Sequence, residues 1–347
     1  MTSRPFHLLV VGTGSVGKRH LRNLHALGCR LSAVDPRPDR LGEAREAAPL
    51  EGTFASLREA FDAASSYDGL VICSPPKFHV DAAAAGLDAG LPVFLEKPVS
   101  TTGALARKLV EKARESKTAL LVGYTYRWWP ALAELRSRIR AGAVGRPLHV
   151  KCVMSAHLSD WHPWERYQDF FMASAEMGGG ALLDESHFVD LMLWCFGMPV
   201  EVWGKVERLS SLDIETDDNV DAVLTYAGGL RVYVHLDLFG RPHEKYISVA
   251  GEEGTLYWSF TPNQVREAHN ADGAWLETEF HGDRNDMFVA AAREFLEVID
   301  GRLLPSCTLA DGYRVMEVLD AIRESSATGR VVAMRPDSGD VSSDPKP

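Results

Sequence analysis

The chain has 347 residues, a formal net charge of −11, 46% hydrophobic and 24% charged residues, a composition that fits an ordinary globular protein with room for two cores. Its acidity and its dispersed Lys and Arg residues argue against nucleic acid or an anionic membrane surface as partner, and no apolar run reaches the length of a membrane span. The five cysteines, Cys29, Cys73, Cys152, Cys195 and Cys307, contain no Cys-x-x-Cys pair, so neither a disulfide framework nor a zinc knuckle is expected. They read as reduced thiols of a cytoplasmic protein, and the N-terminal residues lack the basic and long apolar segments of a signal peptide.

Residues 7–12 read as a short buried strand that runs into Gly12-Thr13-Gly14-Ser15-Val16-Gly17. A helical pattern follows with Val16, Leu21, Leu24 and Leu27 on one face and Gly28 as its C-terminal cap. A second strand, 31–34, ends at Asp35. Strand, glycine loop, helix and acid stand in the register of a dinucleotide fingerprint. Gly12 makes the tight turn, Gly14 admits a pyrophosphate, Gly17 lets helix and strand pack closely, and the helix start at Ser15 and Val16 offers N–H groups to phosphate. Asp35 is expected to accept from a ribose 2′-hydroxyl and to repel a 2′-phosphate, which points to NAD; Arg37, two residues on, leaves NADP possible.

Apolar runs and helical segments then alternate: strand 69–74, helix 78–89, strand 92–97, helix 102–116 and strand 119–124, a doubly wound parallel sheet. Ser74-Pro75-Pro76 forms a rigid turn, and His79 begins the next helix either as a capping or surface histidine or in contact with a nicotinamide ribose. The strand 92–97 ends in Glu96-Lys97-Pro98, a charge pair at the sheet edge where open α/β sheets bind ligands.

Beyond Tyr124 the texture changes, which places a dinucleotide-binding domain at 1–124, a substrate-binding and oligomerisation domain at 125–335 and a disordered tail at 336–347. A helix at 131–141 leads to strands at 148–156, 201–209, 220–226, 231–239 and 255–260, with Gly228-Gly229 and Gly251 to Gly254 as turns. In 231–239 Val232, Val234, Leu236 and Leu238 alternate with Tyr233, His235 and Asp237, so one face is core and the other faces solvent or a second subunit. Helices at 286–300 and 309–326 close the pattern.

Gly178-Gly179-Gly180 precedes a segment in which a helix would set Asp184, His187 and Asp190 at i, i+3 and i+6, with Leu183, Val189 and Leu193 inward. No third ligand accompanies the Asp and His, so no metal is expected. Upstream, Trp161, His162, Trp164 and Tyr167 form an aromatic loop that serves either as a sugar-facing wall or as packing. Arg127 either clamps an anionic substrate group or braces the structure.

Together, Gly12 to Gly17 with Arg19-His20, Ser74-Pro75-Pro76 with His79, Glu96-Lys97-Pro98, Gly123-Tyr124 with Tyr126-Arg127, and Gly178 to Gly180 with Asp184, His187 and Asp190 resemble the Gfo/Idh/MocA family of nicotinamide-dependent oxidoreductases. The resemblance implies a Rossmann domain, then an α/β domain on a large open, mostly antiparallel sheet, a homodimer or homotetramer, and a sugar, inositol or nucleotide-sugar substrate. It also implies catalytic roles for Lys97, Asp184 and His187. One feature departs from the family pattern, which has three residues between the aspartate and the histidine. Here only Glu185 and Ser186 intervene, which on a continuous helix turns Asp184 by roughly 100°.

The chemistry has its own logic. Moving a hydride from a carbinol carbon requires the hydroxyl proton to leave for a base within hydrogen-bond reach, and a cation to steady the oxygen. His187 suits the base by its ordinary pKa and Lys97 the cation, though the two roles are exchangeable on sequence alone. A glycosidase-type reaction through transient oxidation, and a non-catalytic NAD-binding regulator, are the competing readings.

Overall fold

The computed structural model describes residues 4–63, 66–161, 165–269 and 273–334. The described residues divide into two compact units, one holding those up to Thr125 together with Arg284–Tyr313, the other holding Tyr126–Asp283 and those from Arg314 to Met334.

The first unit is built on a parallel six-stranded sheet in the order β3-β2-β1-β4-β5-β6. Its elements run β1 (His7–Val11), α1 (Ser15–Ala26), β2 (Arg30–Val34), α2 (Pro38–Ala47), β3 (Gly52–Phe54), α3 (Leu57–Ala63), β4 (Gly69–Ile72), α4 (His79–Asp88), β5 (Val93–Glu96), α5 (Gly103–Glu115) and β6 (Leu120–Gly123). Every residue of β1, β4, β5 and β6 is buried, which is why these strands read as unbroken apolar runs rather than alternating ones. Helix α1 buries Gly17, His20, Leu21 and Leu24, spaced i, i+3, i+4 and i+7, whereas Val16 is 37% exposed. The inward stripe thus starts one residue later than the apolar pattern indicates. Gly28, at φ 86°, closes the helix as expected, its N–H donating to the carbonyl of His25.

The second unit carries α6 (Pro130–Arg140), β7 (Pro147–Ser155), α7 (Ala181–Asp184), α8 (Ser186–Phe196), β8 (Glu201–Glu207), β9 (Asn219–Thr225), β10 (Arg231–Asp237), β11 (Glu244–Gly251), β12 (Thr255–Ser259), β13 (Gln264–Ala268) and β14 (Leu276–Glu279). Helices α9 (Asn285–Ile299) and α10 (Leu309–Thr328) follow, then β15 (Val332–Ala333). The nine strands pair in the order β14-β13-β12-β11-β7-β10-β9-β8-β15, antiparallel except where β7 and β10 run parallel. Val232, Val234 and Leu236 of β10 are buried on one face, against which α8 packs, while Tyr233 is 46% exposed on the other. Trp203 shares that open face through the register Tyr233–Val223–Trp203.

Helix α9 belongs to the first unit, although it follows the second in sequence. It packs on α1, where Phe288 meets the His20 ring edge-on at 5.9 Å and the Asn285 and Asn23 side chains exchange hydrogen bonds of 2.8 and 3.1 Å. The tail expected at 336–347 lies outside the described residues.

Candidate active site

Because all strands of the first sheet run parallel, their carboxyl ends share one edge. Gly12 follows β1, Asp35 follows β2, Ser74 lies beyond β4 and Lys97 follows β5. The sheet reverses its winding between β1 and β4, the crevice at which such sheets accept ligands.

The glycine loop meets its expected geometry. Gly12 has φ 85°, and a Cβ there would lie 2.5 Å from the Ser74 nitrogen. At Gly17 a Cβ would lie 2.0 Å from the Gly12 carbonyl oxygen, so helix and loop touch backbone to backbone. Gly14 differs, with an ordinary φ of −64° and no protein atom within 4 Å of a Cβ added there. Nothing in the protein itself requires glycine at that position, so the open space belongs to whatever approaches the loop. Helix α1 starts there with no side-chain cap and no acidic residue in its first turn. Its leading N–H groups suit an anion, and the Ser74 hydroxyl, buried without a hydrogen-bond partner, lines the adjoining turn. These are the features a dinucleotide pyrophosphate fits.

Asp35 is 8% exposed. One carboxylate oxygen accepts from the Thr13 N–H at 2.8 Å and its hydroxyl at 3.0 Å, and the other from the Arg37 N–H at 3.0 Å. Asp35 thus ties the glycine loop to β2 and keeps roughly one of about four acceptor positions for a ribose. The Arg37 guanidinium is exposed and paired with Asp39 at 2.5 Å.

At the end of β5, Glu96 is buried and accepts from His20 Nε2 at 2.8 Å and from the Lys97 N–H at 3.3 Å. His79 is 1% exposed; its Nδ1 lies 2.7 Å from the Pro98 carbonyl oxygen and its Nε2 2.7 Å from that of Ser74. It therefore joins the turns that follow β4 and β5. Cys73 is half-buried nearby, and desolvation with Glu96 pushes its thiol up, far from a nucleophilic thiolate.

In the second unit the helical segment is not continuous. Helix α7 ends at Asp184, Glu185 sits at φ −93° and ψ 19°, and α8 starts at Ser186, with the Phe188 N–H donating to the Glu185 carbonyl at 3.0 Å. The rotation expected of a continuous helix therefore does not apply to Asp184. Gly180, at φ 107°, leads into α7, and a Cβ on it would lie 2.3 Å from Asp217 Oδ1. Asp217 caps this helix, its carbonyl accepting from the Ala181 N–H at 2.9 Å and its carboxylate from that of Leu182 at 2.8 Å. Burial raises the Asp217 carboxyl above its ordinary value.

His187, half-buried on α8, has its ring 4.8 Å from that of Tyr126. The buried ammonium of Lys245 donates to the Tyr126 hydroxyl at 2.9 Å. One turn along α8, Asp190 accepts two bonds from Arg127, 3.0 Å from Nε and 2.7 Å from Nη2, both side chains almost fully buried. The two-pronged face of Arg127 is thus spent inside the unit. Asp184 is 7% exposed. Trp161 keeps a buried indole N–H without a partner among the described residues, and the Tyr167 hydroxyl accepts from the Asp213 N–H at 3.3 Å. His162 and Trp164 lie outside the described residues. Among the described residues no group of three or more His, Cys, Asp or Glu side chains is placed to hold a metal ion, and no helix is long and apolar enough to cross a membrane.

Sequence reasoning missed Asp217, Tyr126 and Lys245 as supports. Tyr126 belonged to a quoted motif but had no role assigned to it, whereas Asp217 and Lys245 lie 35 and 119 residues from their partners and carry no local signal.

A parallel, doubly wound sheet with this glycine loop, acid and crevice defines a dinucleotide-binding oxidoreductase domain. Residues 6–124 match the model of the oxidoreductase family with an NAD-binding Rossmann fold, and residues 132–257 match the GFO/IDH/MocA C-terminal domain. The chain belongs to the Gfo/Idh/MocA family. It is 33% identical over 198 residues, 55% of this chain and 57% of the relative, to the rhizopine catabolism protein MocA of Rhizobium meliloti. Inositol 2-dehydrogenase 1 of Saccharopolyspora erythraea is 25% identical over 331 residues, covering 93% of this chain and 94% of the relative. In fold the chain is similar to a levoglucosan dehydrogenase solved with NADH, at TM-score 0.85 and 20% identity, covering 95% of this chain and 99% of the other.

Proposed function

We propose that the protein oxidises a CH–OH carbon of a sugar, inositol or nucleotide sugar with NAD, or reduces the corresponding carbonyl with NADH. The observation that carries this reading is the shared sheet edge at which Gly12, Asp35, Ser74 and Lys97 all emerge. Gly14, Ser15, Val16 and Ser74 would hold the pyrophosphate and Asp35 a ribose. When bound, the nicotinamide supplies the centre that accepts or gives the hydride.

Lys97 Nζ steadies the substrate oxygen as it gains alkoxide character, and His187 takes or returns the hydroxyl proton. Asp184 orients a substrate hydroxyl or His187, and Trp161 and Tyr167 offer aromatic surface to the C–H face of a ring. Tyr126 and Arg127 act behind His187, fixing the helix that carries it. The open face of the nine-stranded sheet, with exposed Trp203 and Tyr233 among charges of both signs such as Lys151 and Asp221, is assigned to a second copy of the chain, because a mixed patch of that kind can meet itself across a two-fold axis. The cytoplasm suits the five free cysteines.

The deciding experiment is a screen of sugars, inositols and nucleotide sugars for nicotinamide reduction with NAD and with NADP. Substrate-dependent NADH formation is expected. Bond cleavage in a glycoside with no net NADH would favour the glycosidase-type reaction, and NAD binding without any turnover would favour a regulator.

A further inference from the structure

His79 has a hydrogen-bonding problem that a neutral imidazole cannot solve. Both ring nitrogens sit 2.7 Å from a main-chain carbonyl oxygen, Pro98 on one side and Ser74 on the other. A carbonyl oxygen only accepts, and a neutral ring has a single N–H. One nitrogen lone pair would then face an oxygen lone pair at contact distance, in a place that is 1% exposed. We propose that His79 is held as an imidazolium that donates from both nitrogens, locking the Lys97-Pro98 turn to the Ser74 turn and so acting as a positioning residue for Lys97.

The surroundings bear on the charge in both directions. Burial is the largest influence and leaves the proton affinity of His79 below the ordinary value, with Lys97 acting the same way and the two carbonyls and Glu96 opposing it, so the charge rests on the double-acceptor geometry. Glu96 is itself buried and its closest basic contact is His20, so a cation at His79 compensates a carboxylate that would otherwise be costly to bury. Contacts of 2.7 Å lie within the range of charge-assisted bonds, and two of them oppose the loss of water. The consequence is mechanical: the ring bridges the turns after β4 and β5 and holds the Pro98 carbonyl, which fixes where the adjoining Lys97 main chain lies. This role rests on the assignment of Lys97 to catalysis, whereas the charge state does not.

The test is nitrogen-15 NMR of histidine-labelled protein at about pH 7. His79 is assigned by nuclear Overhauser contacts to the Ser74 and Pro98 α-protons, which needs no variant. Two protonated ring nitrogens are expected; one protonated and one bare nitrogen overturns the proposal and leaves Lys97 untouched. In His79→Gln, kcat for the substrate found in the screen is expected to fall about tenfold or more with the Kd for NADH unchanged, since a small misplacement of a reacting group is costly. Undiminished kcat in that variant overturns the positioning role. Full activity in Lys97→Ala would instead remove the catalytic assignment while the imidazolium signature stands.

Discussion

Lys245 reaches the hydroxyl of Tyr126 at 2.9 Å, and its ammonium lies over aromatic surface, with the Tyr126 and Phe260 rings centred 5.6 and 5.4 Å away. The pair is asymmetric. Removing the hydroxyl in Tyr126→Phe leaves a buried cation without its acceptor and is expected to cost about 2 kcal/mol or more, whereas Lys245→Met removes the charge together with the need for it and costs about 1 kcal/mol or less. Urea denaturation of both variants checks the order, and a larger loss in Lys245→Met would show that the ammonium is a net stabiliser.

Lys97→Ala is expected to abolish turnover while NADH still binds, measured by fluorescence titration beside steady-state rates. His187→Asn should lower the rate and remove a limb near neutral pH from the kcat profile. An unchanged profile would hand the proton to Lys97.

Asp35→Ser strips an acceptor from the Thr13 N–H and hydroxyl as well as from a ribose. The ratio of kcat/KM for NAD over NADP is expected to fall about tenfold, the worth of one good hydrogen bond, and the Tm to fall with it. Selectivity that survives the substitution would place the ribose contact elsewhere.

His235 lies between two carboxylates, Asp221 at 2.8 Å and Asp237 at 3.0 Å, and chiefly the Asp237 bond raises its pKa from 6.5 to about 9. A raised folded pKa means stability that is complete below the ordinary histidine value and is lost as pH climbs through about 9. Thermal unfolding followed from about pH 6 to about pH 10 should show this decline in the wild type and a flatter one in His235→Asn. Equal slopes would mean that the imidazolium contributes nothing.

Gly180→Ala would strain a φ of 107° and drive a methyl against Asp217 Oδ1. A loss of about 2 kcal/mol or more is expected in urea denaturation, because both the turn and the α7 cap are disturbed. Stability equal to the wild type would mean that Asp217 can swing away without cost.

The first sheet was legible because its strands are buried on both faces and its glycines are dictated by local geometry, as at Gly12 and Gly17. The segment 38–63 was not, since α2 buries only Ala44 and β3 has three residues, leaving little periodicity to read. Strand β11 escaped notice because Glu244, Lys245 and Tyr246 mask its apolar alternation of Ile247 and Val249. The membership of α9 in the first unit depends on Phe288 meeting His20, a contact 268 residues apart that no window can hold. Of the site, the motifs named the chemistry-bearing residues, but not their supports. Arg127 looked available for a ligand because only the fold reveals Asp190 across from it.

The joint at Glu185 also bears on how such chains drift over time. A rigid helix would make the count of residues between Asp184 and His187 inviolable, since each insertion or deletion would swing every later side chain around the axis. A joint uncouples the two ends, so a length change there can be absorbed as a local re-aiming rather than a wholesale rotation. Residue spacing around the histidine is then a poor ruler of kinship, and two sequences that differ by one position at this joint are best aligned by the helices on either side of it.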